Sequence, residues 1–481
     1  MSYLHQTLMA AAVCFVFFGC DSTKMEPSAT PDSGLGGSGG FGGIDGAGGE
    51  GGAGGEGGAG GEGGAGGEGG AGGVDVPPVS FQEFLLEWYA DYDQDQGTDY
   101  LENEGTFEDG LEFRLDNGVV NYDRWSDVAY GPHGERTTMD ILLPDGVDSA
   151  PVVVFMHGGG FGSKDKSEID TEKRSRVAAR YLQAGVAVAS INYRFKRKVD
   201  CERNSAACVT KVEPDWDCAG ASDETGCRLD VIYRDGARSI QYLRYRSDAL
   251  NIDPERIGAW GSSAGSQIVA WVGLVPDLAM AEHSDPVLRE STRLQVIGHR
   301  NSQPTGASFL WPELVTFEQD GNSCDQLAVW EALGVVEGGN GYNEAMQLDM
   351  ADVTDSERTL HQHARDLIHV VDFLGAMDAE DPPFITTSPV KDLSCEELTQ
   401  LGEAATATGA TSEVKDRFKG KIVHHPRMAA TLHERCVEQG LSSCNIVTAF
   451  QDSYSGIPVD DPNAGYRTDE DTIRQFFIGT L

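Results

Sequence analysis

Two short segments of the sequence contain the residue types that acyl-transfer chemistry requires. HGGGF occupies residues 157–161 and GSSAG occupies residues 261–265, each directly after an apolar run. In a G-x-S-x-G pattern the serine sits on a strained turn between a strand and a helix, and the flanking glycines avoid clashes with both elements. The pattern predicts that Ser263 is a nucleophile with an exposed hydroxyl at the start of a helix.

The glycines of the first segment suit the stabilisation of negative charge. Acyl transfer builds that charge on a carbonyl oxygen, which needs N–H donors fixed in advance. We expect the backbone N–H groups of Gly159, Gly160 and Ala264 to be these oxyanion-hole donors, and His157 to be structural. The alternative is a simple turn and a helix cap, and it is disfavoured because each motif occurs once and in the chain order that one fold requires.

With these motifs the sequence resembles the α/β-hydrolase family, specifically its HGGG-bearing esterases, related to hormone-sensitive-lipase-like carboxylesterases and bacterial feruloyl-esterase-like domains. The resemblance runs from about Val128 to the C-terminus and includes INYRF, RDGARSIQYLR and NIDPERIGAWGSSAG at 191–195, 234–244 and 251–265. It implies hydrolysis of carboxylic esters through an acyl-enzyme on Ser263. We therefore expect no cofactor and no metal.

The resemblance also implies an acid after the seventh strand of the sheet. The segment PPFITT at 382–387 leads to Asp392 at the implied spacing, so Asp392 is the predicted acid. The usual His-Gly turn is missing, which leaves open that Asp392 only caps the following helix. Asp381 precedes the strand, so we expect it at the opposite end of the sheet.

The resemblance further implies a histidine just after the last strand, to take the proton of the serine. The sequence has none there, because the last histidine is His433 and the predicted strand 446–450 is followed by QDSYSG. His424 and His425 are the best substitutes for this base, with a slight preference for His425. If neither serves, the chain is a catalytically degenerate hydrolase that acts as a binding protein.

The elements that must hold these residues alternate along the chain. Short apolar runs and amphipathic helices follow one another from Val128 onward, which predicts a mostly parallel central sheet with helices on both faces. The predicted strands are 138–143, 152–157, 186–193, 257–260, 294–299, 384–387 and 446–450. The predicted helices are 172–183, 235–246, 264–273, 356–374, 427–439 and 470–477. Residues 195–232 and 307–351 fit neither period and are predicted insertions in a hydrolase domain spanning 79–481.

The first 78 residues have a different character. Residues 1–19 contain an apolar run that is too short to span a bilayer but suits an export signal. The run ends in FFGC at 17–20, which resembles a bacterial lipobox with Phe for Leu and implies lipidation of Cys20. Several acyl chains together would anchor the chain stably to a membrane. We expect a cell-envelope lipoprotein, or a protein otherwise exported.

Residues 20–78 are predicted to be a disordered Gly-rich linker. The unit AGGEGG starts at positions 47, 53, 59 and 65, and a chain so rich in glycine cannot form a core. About 40 such residues form a flexible coil with a reach of roughly 35 Å. This segment is predicted to be a tether, a feature that suits a surface enzyme and an adhesion module equally.

The charge balance restricts the partners. The sequence has 36 basic and 77 acidic residues and a formal charge of -41, which excludes nucleic-acid binding. The expected partner is a small-molecule or polysaccharide-linked ester, and no oligomeric state follows from the sequence. Residues 91–102 carry acidic side chains at EF-hand spacing, but Gln96 stands where the turn glycine is needed, so calcium binding is only an alternative to a solvated loop.

Cysteine usage suits an exported chain. Of the ten cysteines, Cys14 leaves with the signal and Cys20 carries lipid, so an even number is available for disulfides. We expect short-range pairing within residues 201–227 and a link between Cys436 and Cys444.

Overall fold

A nine-stranded sheet is the centre of the fold. The computed structural model describes residues 80–90, 92, 96–196, 225–306, 366, 369–388, 395–441, 443–448 and 469–481. The sheet has the order β1-β2-β3-β5-β4-β8-β9-β10-β11, and β6 and β7 form a separate pair. The strands are β1 Thr106–Leu115, β2 Gly118–Ala129, β3 Thr138–Pro144, β4 Ala150–Met156, β5 Ala187–Ile191, β6 Phe195–Lys196, β7 Thr225–Cys227, β8 Ile252–Ser262, β9 Val296–Arg300, β10 Phe384–Ser388 and β11 Cys444–Thr448.

The strand directions divide the sheet into two parts. Antiparallel pairing joins β1 to β2, β2 to β3 and β3 to β5. Every pairing from β5 to β11 is parallel. The carboxyl ends of β4, β8, β9 and β10 therefore meet at one edge, where ligands of open α/β sheets bind.

Helices cover both faces of this sheet. They are α1 Phe81–Trp88, α2 Glu172–Gln183, α3 Leu229–Tyr245, α4 Ser247–Leu250, α5 Ala264–Leu274, α6 Phe373–Ala376, α7 Cys395–Thr406, α8 Ser412–Val423, α9 Pro426–Gln439 and α10 Asp469–Thr480. Alternate residues of β4 face two different cores. Val152 and Val154 pack with α3 and α5, whereas Val153 and Phe155 pack with α2 and α10. A strand buried on both faces is continuously apolar, as β4 is.

The predicted fold class is confirmed: the sheet is mixed, mostly parallel, and covered on both faces. Helix α2 has the predicted bounds. The prediction began the sheet too late, because the hairpin β1–β2 precedes residue 138. Strand β1 is largely exposed, and apolar residues alternate with polar ones only over its last five residues, from Leu111 to Leu115.

One predicted insertion is corrected in part. Residues 195–232 were expected to lie outside the regular elements, but this range includes β6, β7 and the first residues of α3. The start of α3 is buried, and its first turn reads Leu229-Asp230-Val231-Ile232, which lacks a clear polar face. The second predicted insertion, 307–351, lies outside the described residues, as do the export signal, Cys20, the tether and residues 91 and 93–95 of the acidic loop.

A disulfide joins Cys436 at the end of α9 to Cys444 at the start of β11. The link between Cys436 and Cys444 was predicted from the sequence, whereas Cys201, Cys208 and Cys218 lie outside the described residues. None of the helices in the described ranges is both long enough and apolar enough to cross a membrane.

Candidate active site

Ser263 occupies the turn between β8 and α5 with an unusual backbone. Its φ is 54° and its ψ is -117°, a region that non-glycine residues rarely adopt. A Cβ atom on Gly261 would lie 2.3 Å from the carbonyl carbon of Gly265, and one on Gly265 would lie 2.0 Å from the carbonyl oxygen of Met156. The predicted need for glycine on both sides of the serine is confirmed.

Backbone hydrogen bonds hold this turn in place. The Ser263 N–H donates to the carbonyl oxygen of Arg300 at 2.8 Å, which ties the turn to the end of β9. The Ser263 carbonyl oxygen accepts from the Ser266 N–H at 2.9 Å and from the Gln267 N–H at 3.2 Å. The strained conformation is therefore held from both the strand side and the helix side.

The hydroxyl of Ser263 meets a histidine. Its Oγ lies 2.9 Å from Nε2 of His424. His424 follows the last residue of α8, in the connection between β10 and β11 rather than after the last strand. Of the two histidines that the sequence singles out, the structure brings His424 to the serine.

His425, the slightly preferred candidate, has a different environment. It caps α9 with an extended backbone, and its Nδ1 accepts from the Arg427 N–H at 3.3 Å. A residue before proline is driven to extended geometry, and Pro426 is the first residue of α9. That proline directs the buried His425 ring to the start of α9 and leaves the ring of His424 at the serine.

The electrostatics at His424 favour its neutral form. Burial lowers the pKa of His424 to about 4, and the positive charge of Arg300 contributes to the decrease. At neutral pH the ring is uncharged and can accept a proton at Nε2.

The sequence predicts Asp392 as the acid and Asp381 at the opposite end of the sheet. Asp392 lies outside the described residues, and within the described ranges no carboxylate is within hydrogen-bonding distance of His424. Asp381 precedes β10, as expected, at the end of the strand opposite the serine. Its carboxylate accepts from the Asp378 N–H at 2.8 Å, and burial raises the pKa of Asp381 to about 7.

The HGGGF segment follows β4 and packs against the serine turn. A Cβ atom on Gly158 would lie 2.8 Å from the Ser262 carbonyl oxygen, and one on Gly159 would lie 2.2 Å from the Ser163 carbonyl oxygen. Gly159 and Gly160 have φ values of 109° and 60°, which glycine adopts without strain. Only a chain without side chains here can approach the serine so closely.

The predicted donors and His157 have distinct positions. Ala264 is the first residue of α5, and the N–H groups of a first helical turn have no partner within the helix. The His157 ring is buried and stacks on Tyr193, whose hydroxyl donates to the His157 carbonyl oxygen at 2.7 Å. Burial lowers the pKa of His157 to about 4. These contacts agree with a structural function of His157 in the turn.

Three residues near the site were not singled out from the sequence: Gln267, Arg300 and Gln303. Gln267 is a large polar residue in the mostly apolar helix AGSQIVAWVGL, and this is the one signal that the sequence offered. Arg300 and Gln303 lie at and after the end of β9 and match no motif. Within the described residues no group of His, Cys, Asp and Glu has the arrangement of a metal site.

Parts of the chain are similar to known proteins. A family model described as BD-FAE matches residues 139–210. Gut esterase 1 of Caenorhabditis elegans is 25% identical over 139 residues, which is 29% of this chain. The matched segment spans about a fifth (21%) of the length of that relative.

Several solved structures are also similar. A truncated carbohydrate esterase from gut microbiota is 14% identical, with a TM-score of 0.38 over 68% of this chain and 86% of that one. The acetyl ester-xyloside bifunctional hydrolase from Caldicellulosiruptor lactoaceticus is 15% identical, with a TM-score of 0.39 over 78% and 98%. The sheet order and the turn at Ser263 match the predicted α/β-hydrolase fold, and the similarity to the BD-FAE model covers residues 139–210 of that fold.

Proposed function

We propose that this chain is a serine hydrolase that cleaves carboxylic esters through an acyl-enzyme on Ser263. The observation that carries the proposal is the 2.9 Å contact between Ser263 Oγ and His424 Nε2 at the carboxyl edge of the sheet. A serine hydroxyl is a weak nucleophile by itself, and an adjacent base is what activates it.

In the proposed reaction the Ser263 proton passes to His424 Nε2 while Oγ bonds to the carbonyl carbon of the ester. The tetrahedral intermediate then collapses, the bond from carbon to the alcohol oxygen breaks, and His424 gives its proton to the leaving alcohol. A water molecule attacks the acyl-enzyme with His424 again acting as base. This second step releases the acid and restores Ser263.

The developing oxyanion needs donors that are fixed before the reaction. We propose the N–H groups of Gly159, Gly160 and Ala264, supported by the close packing of the glycine turn on the serine turn and by the position of Ala264 at the start of α5. The positive end of the helix dipole would add to this stabilisation. Each donor removed should cost roughly 10²-fold in kcat.

The acid that orients the base is proposed to be Asp392. It follows β10, and Ser388 at the end of β10 donates through its Oγ to the His424 carbonyl oxygen at 3.4 Å, so the chain leaves β10 beside the base. Asp392→Asn should lower kcat by about 10³-fold or more. Asp381→Asn is the matched control, because Asp381 lies at the other end of β10, and it should keep the wild-type kcat.

The chain is proposed to be a lipid-anchored protein of the cell envelope. The support is the lipobox-like segment that ends at Cys20 and the glycine-rich tether after it. The substrate would be a small or polysaccharide-linked ester. Cys20→Ser should move the protein from the membrane fraction to the soluble fraction, and an unchanged distribution would contradict the anchor.

Fluorophosphonate labelling of residues 79–481 tests the enzymatic function. The wild-type domain should be labelled and should hydrolyse short p-nitrophenyl esters, whereas Ser263→Ala should do neither. A wild-type domain that is inert in both assays would favour the binding-protein alternative.

A further inference from the structure

A line of buried side-chain hydrogen bonds connects the serine helix to the histidine. The Tyr233 hydroxyl donates to Oε1 of Gln267 at 2.8 Å, and Nε2 of Gln267 donates to Oε1 of Gln303 at 2.6 Å. Nε2 of Gln303 in turn donates to the carbonyl oxygen of Val423 at 2.5 Å. Gln267 and Gln303 are at most 3% exposed, so water does not compete for these bonds.

The bond from Gln303 to Val423 satisfies a carbonyl group at the end of helix α8. The final carbonyl groups of a helix have no partner within it and require donors from elsewhere. α8 ends at Val423, and Gln303 and Ser388 supply donors to the carbonyl oxygens of Val423 and His424. Both donors come from the carboxyl ends of β9 and β10, so they fix the helix end to the edge of the sheet.

Gln267 is bonded directly to the serine residue and is connected to the histidine through Gln303. Its backbone N–H donates to the Ser263 carbonyl oxygen at 3.2 Å, and its side chain leads through Gln303 to the peptide that carries His424. The distance between serine and histidine is thus defined through one residue of α5, although 161 positions separate them in the sequence.

We propose that Gln303 and Gln267 are positioning residues that hold His424 Nε2 in line with the Ser263 hydroxyl. The proposal rests on the proposed function, because it assigns a task to residues that do not touch the reacting atoms. Gln303 must donate to Val423 and accept from Gln267 at the same time. An amide satisfies both requirements, whereas a carboxylate of the same shape offers acceptors only.

The test compares two changes at Gln303 with a matched buried amide. Gln303→Met removes the bonds to Gln267 and Val423 together with a local bond from Nε2 to the Asn301 carbonyl oxygen at 3.0 Å. Gln303→Glu keeps the shape but cannot donate when ionised. Gln241→Met is the control. Gln241 is fully buried on α3 and donates to the carbonyl oxygens of Leu288 and Glu290, neither of which is connected to His424.

We expect both Gln303 variants to lose roughly 10²-fold in kcat and in the rate of fluorophosphonate labelling, which is the scale of a displaced catalytic group. KM for a p-nitrophenyl ester should stay within about twofold of wild type, because substrate binding is not altered. Gln241→Met should lose a similar amount of thermal stability to Gln303→Met and keep the wild-type kcat.

The outcomes separate this proposal from the one it rests on. Wild-type kcat in Gln303→Met and Gln303→Glu, or a loss no larger than in Gln241→Met, would overturn the positioning function while the enzyme itself remains active. A wild-type domain without labelling or turnover would instead refute the proposed function. If Gln303→Met does not fold, the same kcat comparison is made with the isosteric Gln303→Glu.

Discussion

The Ser263 hydroxyl and the Nε2 atom of His424 lie 2.9 Å apart, although one residue follows β8 and the other lies between β10 and β11. They meet because β8, β9 and β10 are parallel neighbours whose carboxyl ends share one edge. His424 does not follow the last strand, where the family resemblance implied a histidine. It nevertheless lies at the same edge of the sheet.

The two neighbouring histidines should respond differently to removal. His424→Ala should lower kcat for p-nitrophenyl esters by roughly 10⁴-fold or more, because it removes the proposed base. His425→Ala should keep most of the activity and lose about 1 kcal/mol of folding stability, because it removes the cap of α9. Steady-state rates and urea denaturation check both results, and equal loss of activity in the two variants would contradict this assignment.

The acid side of the pH–rate profile should report His424. Burial and the charge of Arg300 lower its pKa to about 4, and protonation removes its ability to accept a proton. kcat/KM should therefore stay constant as the pH falls below 7 and decline only near that pKa. Arg300→Gln removes a positive charge, so the pKa of His424 should rise and the decline should move to higher pH.

The matched control for Arg300 is Arg256→Gln. Arg256 is an exposed arginine that pairs with Asp253 and does not influence His424. Its removal should leave the pH–rate profile where it is in wild type. A profile that is unmoved in Arg300→Gln, or moved equally in both variants, would count against the electrostatic influence of Arg300.

The buried Asp381 should make folding stability depend on pH. Burial raises its pKa from 3.8 to about 7, so the folded state binds more protons than the unfolded state between these values. The contribution of Asp381 to stability is therefore lost as the pH rises through this window. Asp381→Asn should raise the melting temperature at pH 8 and change it little near pH 4.

Asp253, whose pKa is shifted in the opposite direction, provides the comparison for Asp381. The hydrogen bond from Arg256 lowers the pKa of Asp253, so ionised Asp253 favours the folded state. Asp253→Asn should not raise the melting temperature at pH 8. An increase of the same size in both variants would indicate a general effect of lowering the negative charge.

Gly265, two residues after the nucleophile, should not tolerate a methyl group. Gly265→Ala would bring a Cβ atom to 2.0 Å from the Met156 carbonyl oxygen, and strand backbone cannot retreat as a flexible side chain can. We expect a loss of about 2 kcal/mol or more in unfolding free energy together with a loss of activity. Gly479→Ala, in a helix with open space around it, should leave both unchanged or slightly raise stability.

The fold and the serine turn could be predicted because their signals are local. GSSAG and HGGGF each specify a strand end and a turn within a few residues, and the interior strands are continuously apolar. The hairpin β1–β2 was not predicted in the same way, since most of β1 faces solvent and its apolar alternation is limited to Leu111, Phe113 and Leu115.

The choice between His424 and His425 depended on three-dimensional information. Sequence order narrowed the base to this pair, but the backbone on either side of Pro426 decides which ring meets the serine. The bond from Gln303 to Val423 joins residues 120 positions apart, and no spacing pattern reports such a contact. The function of Asp392 as the acid stays a prediction.

The backbone conformation of Ser263 lowers the stability of the fold. A non-glycine residue at a φ of 54° and a ψ of -117° carries about 1–3 kcal/mol of conformational strain. Ser263→Gly would release that strain and should give a chain that unfolds at higher temperature and hydrolyses nothing. Stability alone would therefore favour glycine at this position. A serine here indicates that folding stability is given up for catalytic activity.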